Sequence, residues 1–540
     1  MAAPMSTPDA DLGELLAQHL PAGVKVTVRH VSSTPTPCAA LFAAPPGEKP
    51  EATFCVNHFL SVSIHKGDPD HGPEVIVLGI EVLVYSTAHL TTIFVSKADS
   101  TGYLHLLQTA SKVSLLRLIS NTFLSFLVRT HQRRGVRLVL SLFARAQNQY
   151  LFPGSIHNTG KHVLDDRGLI KWWCRVADPI LREYEPESAG SQEKGLLDRA
   201  MESAKSSATA FLIVPGCDRF ETRGFFPPTA KSDGDKERPR WVNGFPVGQL
   251  CDNPEAPPRC LIPRLPDDPK TRFLTDLDDE LPERVEGADQ KNTQFPGQWR
   301  SVRSLEQFWE MMSFRQECSA GRLVGFLWLV INPPGLVNSV QMASSRMVSG
   351  DGKESMESKE SQNSPDERVS DPGKAPLQSN DTVQPVSSSQ PQEAQQTPDS
   401  RSFYWPETGR GHVVLSEADY KTAIDFLLTL DFDNEEVSVS STKAWAERLA
   451  SLADQLSVGK HVEGRNTTTG QSAPESSATT NLMDSGLVKK RKKNDQSQGG
   501  SEEHRATETG DGAKPASESD QPTSGVNMLS TNLIRKKKKT

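Results

Sequence analysis

The decapeptide RLPDDPKTRF at 264–273 sets two carboxylates, Asp267 and Asp268, between Pro266 and Pro269, with Lys270 next in line. Adjacent carboxylates can accept and pass protons, and a neighbouring lysine alters their charge balance. The same residues also spell a helix start. Asp268 is a good N-cap, Pro269 carries the φ of a first helical residue, and Lys270 to Leu281 continues as helix. Read locally, cap and turn outweigh an active site.

Other stretches invite chemistry and mostly decline it. In GSIHNTGKH at 154–162 five residues separate the glycines where a P-loop has four, and His162 stands where Ser or Thr would bind magnesium. A polar loop is the better reading. His157 and His162 lack a Cys or acidic partner at ligand spacing, so neither suits a metal site. KWWC puts Trp172 and Trp173 about 100° apart on a helix. Either one lines a groove while the other is core, or both are packing. FVSKADSTGY at 94–103 reads as a strand running into a turn around Asp99, Ser100 and Gly102. No nucleophile elbow and no GxGxxG after a strand stands out.

The elements that must carry these residues alternate along the chain. LGELLAQHL is an amphipathic start, and FCVNHFLSVSIHK, EVIVLGIEVLVYS and TTIFVSKAD read as strands joined by hairpins. KVSLLRLISNTFLSFLVRT is a helix, VRLVLSLFARA a strand, and DDRGLIKWWCRVADPILREY a helix broken at Pro179. From 185 to 263 long loops are expected around short pieces such as ATAFLIVPG. SLEQFWEMMSFRQEC is helical and GRLVGFLWLVI a buried strand. A strand or loop and two helices return after 402.

Composition bounds the whole. All eight Trp, six Tyr and 21 Phe lie outside 338–402 and 456–540, which leaves about 390 residues for one large folded domain. The net charge of -8 conceals two basic runs, KKRKK at 489–493 and RKKKK at 535–539, suited to nuclear import or polyanion contact. Seven scattered Cys without a CxxC pair, and no apolar start, lead to the expectation of a reduced intracellular protein without zinc. No apolar run reaches the roughly 18 residues of a membrane span.

Taken in order, FVSKADSTGY, QYLFPGSIHNTGKHVLDDRGLIKWW, WVNGFPVGQL, LPDDPKTRF and FWEMMSFRQE resemble the fungal histone acetyltransferases named for regulation of Ty transposition. The resemblance spans roughly 50–335 and, more weakly, 403–455. It implies an α/β fold with a mixed central β-sheet surrounded by helices, similar to CBP-type acetyltransferases. The single domain would comprise 1–337 and the returning segment 403–455, with a disordered insertion at 338–402 and a disordered basic tail at 456–540.

The same resemblance implies acetyl transfer from acetyl-CoA, without a metal, to histone H3 at core-domain lysine fifty-six and at tail lysines. Histone chaperones of the anti-silencing and NAP families would present H3–H4 in the nucleus, during chromatin assembly, DNA replication and the response to DNA damage. The basic tail would contact an acidic chaperone or nucleic acid. A non-catalytic chromatin adaptor is the rival from another class, and an acetyltransferase for non-histone proteins is a third reading.

Residue roles follow by match to the family motifs. A lysine amine of pKa about 10.4 needs a base or a site that favours its neutral form. Asp268 would take the proton, with Asp267 orienting the substrate. Trp173 would line the lysine channel and Trp172 pack on the cofactor. Asp99, flanked by Ala98 and Ser100, matches a position needed for activity. Phe143, Gln147, Tyr150, His162, Val163 and Leu164 would hold pantetheine and pyrophosphate, aided by Lys112 and Ser114 at a helix N-terminus. Lys270 matches a lysine acetylated by its own enzyme. The stretch 185–240 departs from the family pattern.

Overall fold

The computed structural model describes residues 11–45, 47–67, 72–107, 114–187, 205–233, 239–251, 253, 255–281, 297–315, 322–334, 336 and 401–467. Lys112, nearly all of the expected insertion and the tail from 468 lie outside the described residues. Everything described belongs to one compact unit, Met1–Ser472.

The chain forms the mixed sheet with flanking helices. Strands β1 (Lys25–Ser33), β3 (Thr53–His65), β4 (Glu74–Ser86) and β5 (Leu90–Ser100) are antiparallel neighbours. The short β2 (Thr36–Cys38) adds to β3. Helices α1 (Leu12–His19) and α2 (Leu115–Thr130) precede β1 and follow β5. Because α2 crosses over, β6 (Arg137–Arg145) pairs parallel to β5. Beyond β6 come β10 (Val324–Asn332) and β8 (Ser207–Ile213), both antiparallel, with β7 (Glu185–Pro186) and β9 (Trp241–Asn243) on β8. β11 (Val413–Leu415) and β12 (Lys460–Glu463) complete the far edge on β1.

Side-chain alternation explains the layers. On β10, Leu327, Leu329 and Ile331 enter the core beneath α2 and α3 (Asp166–Leu181). Phe326, Trp328 and Val330 point the other way, into a core with α4 (Pro269–Asp278) and α5 (Leu305–Met312). Both faces are covered, so the strand reads as an unbroken apolar run. Helices α6 (Glu417–Leu427) and α7 (Glu435–Leu452) cover Val31, Phe59 and Ile76 at the β1 end.

Two expectations are corrected. α3 runs through Pro179 and ends two residues later at Leu181, because a proline so near the C-terminus disturbs only the last turn. The domain extends past the expected boundary at 456, since Lys460–Glu463 zips onto β1 and buries Val462. ATAFLIVPG, expected as a short element among loops, is β8 and hydrogen-bonds along β10.

Candidate active site

The site opens where two parallel strands part. β5 and β6 pair from Leu90 and Arg137 to Val95 and Leu142 and then separate. Opposite β4, Glu81 faces Lys97 and Val82 faces Val95, leaving Ser96 as the extra residue of a bulge. A bulge bends its strand, and here it steers the end of β5 away from β6, which continues on β10 to the Arg145–Val324 pair. The wedge encloses about 190 Å³ and is lined by both diverging strands, the loop after β6, and α3.

Every described residue expected to bind the cofactor lines this one cavity. Ala98, Asp99 and Ser100 come from β5, Ser114 from the start of α2, and Phe143, Gln147 and Tyr150 from β6 and its loop. His162, Val163 and Leu164 precede α3, which supplies Trp172 and Trp173. The two indoles meet edge to face at 4.8 Å. Trp173 is only 5% exposed and belongs to the main core, yet its ring still reaches the cavity.

The Asp99 side chain is only 7% exposed and its carboxylate is fully engaged. Oδ2 accepts from the backbone N–H groups of Tyr150 (2.7 Å), Leu151 (3.0 Å) and Phe152 (3.4 Å). Oδ1 accepts from Ser100 N and pairs with Lys161 Nζ at 2.8 Å. Asp99 lies within β5 and pins the cavity wall, a role exerted through backbone and Lys161. Burial pushes the neighbouring Tyr150 phenol up to about 12, and its hydroxyl donates to Arg145 O. Gly79, on β4, pairs with Asp99, and a Cβ there would lie 2.8 Å from Phe152 Cζ. Gly79→Ala is therefore expected to destabilise the fold by about 1–3 kcal/mol and weaken acetyl-CoA binding, read by urea unfolding and calorimetry.

The PDDPK motif divides its charges. Asp268 caps α4, accepting from Lys270 N at 2.9 Å, and its other oxygen takes Lys270 Nζ. Both side chains are 1% exposed, and Nζ lies 4.3 Å from the Phe326 ring centroid and 5.6 Å from that of Trp328. The resemblance assigns Asp268 the substrate proton, but both its oxygens are committed to Lys270. Asp267 is the open carboxylate. It adopts a left-handed φ of 59°, its side chain is 59% exposed, and Oδ2 lies 2.9 Å from Lys97 Nζ.

Sequence reasoning assigned no role to Lys97, Lys161 or Glu81. Lys97 and Lys161 sit inside the quoted SKAD and TGKH stretches, but their partners are known only once the chain folds. Among the described residues no group of three or more His, Cys, Asp or Glu is placed to hold a metal, and no helix is long and apolar enough to cross a membrane.

The cavity suits acetyl-CoA. An extended pantetheine arm carries two amides, and the parted edge of β5 offers backbone groups at strand spacing. At the other end the first turn of α2 faces in beside Ser114, whose hydroxyl makes no capping bond. A helix N-terminus there favours pyrophosphate.

Comparison with known proteins agrees with this geometry. The model of the histone acetyltransferase KAT11-type domain matches residues 12–448. Histone acetyltransferase rtt109 of Aspergillus flavus is 63% identical over 99% of this chain and 100% of its own length. The protein of that name from Schizosaccharomyces pombe is 30% identical over 58% of this chain and 70% of its own. The crystal structure of Rtt109 from Aspergillus fumigatus superposes with a TM-score of 0.70 at 66% identity, covering 85% of this chain and all of that one. With the family model spanning most of its length and a relative 63% identical over nearly all of it, the chain belongs to the KAT11-type histone acetyltransferases.

Proposed function

We propose that the protein acetylates histone H3 at core-domain lysine fifty-six and at tail lysines, on H3–H4 presented by chaperones of the anti-silencing and NAP families. It acts in the nucleus, in chromatin assembly, replication and the DNA damage response. Histone acetylation itself follows from the family, which implies acetyl-CoA as co-substrate. What supports the reading is the exposed Asp267 carboxylate, paired with Lys97, which itself lines the cavity walled by Trp172 and Trp173.

Acetyl-CoA supplies the acyl thioester when bound. The chain's own residues do the rest. Desolvation in the cavity disfavours a charged ammonium, Asp267 takes the proton as the amine attacks and the thioester C–S bond breaks to release the CoA thiolate, and the Asp99–Lys161 knot holds the loop that shapes the cavity. Lys270, buried against Asp268, is a proposed acetylation site, and acetylation would remove its charge from beneath the motif.

The test is acetylation of purified H3–H4 with a chaperone of either family, with modified H3 lysines identified by mass spectrometry. Asp267→Asn and Trp173→Phe are each expected to lower kcat by about tenfold or more. Undiminished activity in both would remove their assigned roles, and absence of acetyl-CoA binding would favour a non-catalytic adaptor.

A further inference from the structure

An exposed aspartate at a left-handed backbone position is a poor catalytic group unless something fixes it, because its side chain samples several rotamers. The fixing group is Lys97. Its Nζ lies 2.9 Å from Asp267 Oδ2 and 2.8 Å from Glu81 Oε2, so one ammonium bridges the open carboxylate and a buried one. Lys97 lines the cavity and sits opposite Glu81, directly beside the bulge that parts the strands.

Glu81 is 6% exposed, and a carboxylate so placed must be satisfied. Lys97 takes one oxygen, and Tyr420 OH lies 3.5 Å from the other. Tyr420 is itself buried on α6, in the segment that returns to the domain after residue 400. A chain of polar groups thus runs from the returning helix through the sheet to the cavity rim. Burial pulls the Lys97 ammonium down, but Glu81 and Asp267 outweigh it and hold it above the ordinary lysine value.

The geometry points to Lys97 as a positioning residue of the acetyl transfer, anchored from beneath by Glu81 and Tyr420 and holding Asp267 toward the incoming lysine amine. The inference rests on the role given above to Asp267. A second consequence follows from charge. A fixed cation at the rim disfavours a second ammonium, so it assists loss of the substrate proton. No bond is made or broken at Lys97. The proton passes from the substrate amine to Asp267, and Lys97 keeps its own.

The test compares four chains in steady-state acetylation of chaperone-bound H3–H4 at saturating acetyl-CoA. They are the parent, Asp267→Asn, the paired change Glu81→Gln with Lys97→Met, and all three together. The paired change removes both charges, so no buried carboxylate is left alone. Asp267→Asn and the paired variant are each expected to lose about 10- to 100-fold in kcat. The triple chain should fall no more than about twofold below the weaker of them, since residues acting as one unit are not additive. The rising limb of the kcat–pH profile should move to higher pH in the paired variant, and Lys97→Arg should stay within about threefold of the parent. Losses that multiply, or full kcat in the paired variant beside an impaired Asp267→Asn, would overturn the role of Lys97. A fully active Asp267→Asn would instead overturn the reading of Asp267, and this inference with it.

Discussion

Asp99→Ala is expected to destabilise the protein by about 3–5 kcal/mol and to abolish measurable acetyl-CoA binding. The reason is the number of groups that one carboxylate satisfies. Lys161, with its side chain 4% exposed, loses its counter-ion, and the N–H groups of Tyr150, Leu151 and Phe152 lose a common acceptor. An unpaired buried ammonium is more expensive than the pair was worth. With total stabilities of about 5–15 kcal/mol, such a loss leaves the chain barely folded at 37 °C.

Two companion variants separate charge from shape. Asp99→Asn keeps the volume but offers one acceptor oxygen where the carboxylate had two, so the loop should loosen and acetyl-CoA affinity fall by about tenfold or more. Asp99→Asn combined with Lys161→Met removes the orphaned charge and should recover a large part of the stability without restoring affinity. Urea midpoints give the first quantity and calorimetry with acetyl-CoA the second. If Asp99→Asn bound acetyl-CoA like the parent, the carboxylate would not be what shapes the cavity.

How far the site was legible in sequence depended on the range of the interaction. Asp268, Pro269 and Lys270 announce a capped helix through neighbours alone, and α4 starts where those residues predict. The apolar run of β10 is likewise local, because burial on both faces leaves no alternation to misread. The cavity is another matter. It exists because Ser96 is extra in the register of β5 against β4, and a register is a relation between two strands that neither contains. The family motifs identified the lining residues without that geometry, but they assigned the proton to Asp268. The Asp268–Lys270 pair spans only two residues, but its burial against Phe326 and Trp328 and the opening of Asp267 toward Lys97, 170 residues earlier, are long-range facts.

β1 is not among the strands expected above. KVTVRHVSS alternates well enough, but it carries Arg29 and His30 in positions that proved buried, and a polar residue at a core position argues against a central strand. The fold satisfies them at a distance. Arg29 forms a two-pronged pair with Glu74, donates to Ser63 and reaches Val458 O. His30 joins a cluster of histidines drawn from four separate segments.

That cluster sets how the protein responds to acid. His30 on β1 lies 3.0 Å from His58 on β3, nitrogen to nitrogen, and His131 caps the C-terminus of α2 against the pair. Phe123 and Phe126 close the cluster from α2, and His412 and Tyr404 close it from the returning segment. All three buried imidazoles are 1% exposed, and His58 Nε2 has no hydrogen-bond partner among the described residues. Burial first, and then the neighbouring imidazoles, pull His30 down to about 3 and His58 well below its ordinary value. His131 falls to about 4, with burial again the main cause.

The sign is then settled. Unfolded histidines protonate near pH 6.5 while the folded ones resist until about pH 4 or below, so the unfolded state binds more protons throughout that window. Stability is whole above about pH 6.5 and is lost as the pH falls. Three groups acting together give a slope that approaches about 4 kcal/mol per pH unit near pH 5.5. Urea unfolding measured from pH 7.5 to 5.5 should trace that slope, and His131→Gln should reduce it by about a third by removing one titrating group. A slope below about 1.4 kcal/mol per unit in the parent would mean that at most one of the three stays neutral in the fold. Because the cluster joins β1 and α2 to the segment carrying Tyr404 and His412, acid should release that segment before the strands around the cavity give way. Hydrogen exchange at pH 5.5 should accordingly rise first at residues 404–415.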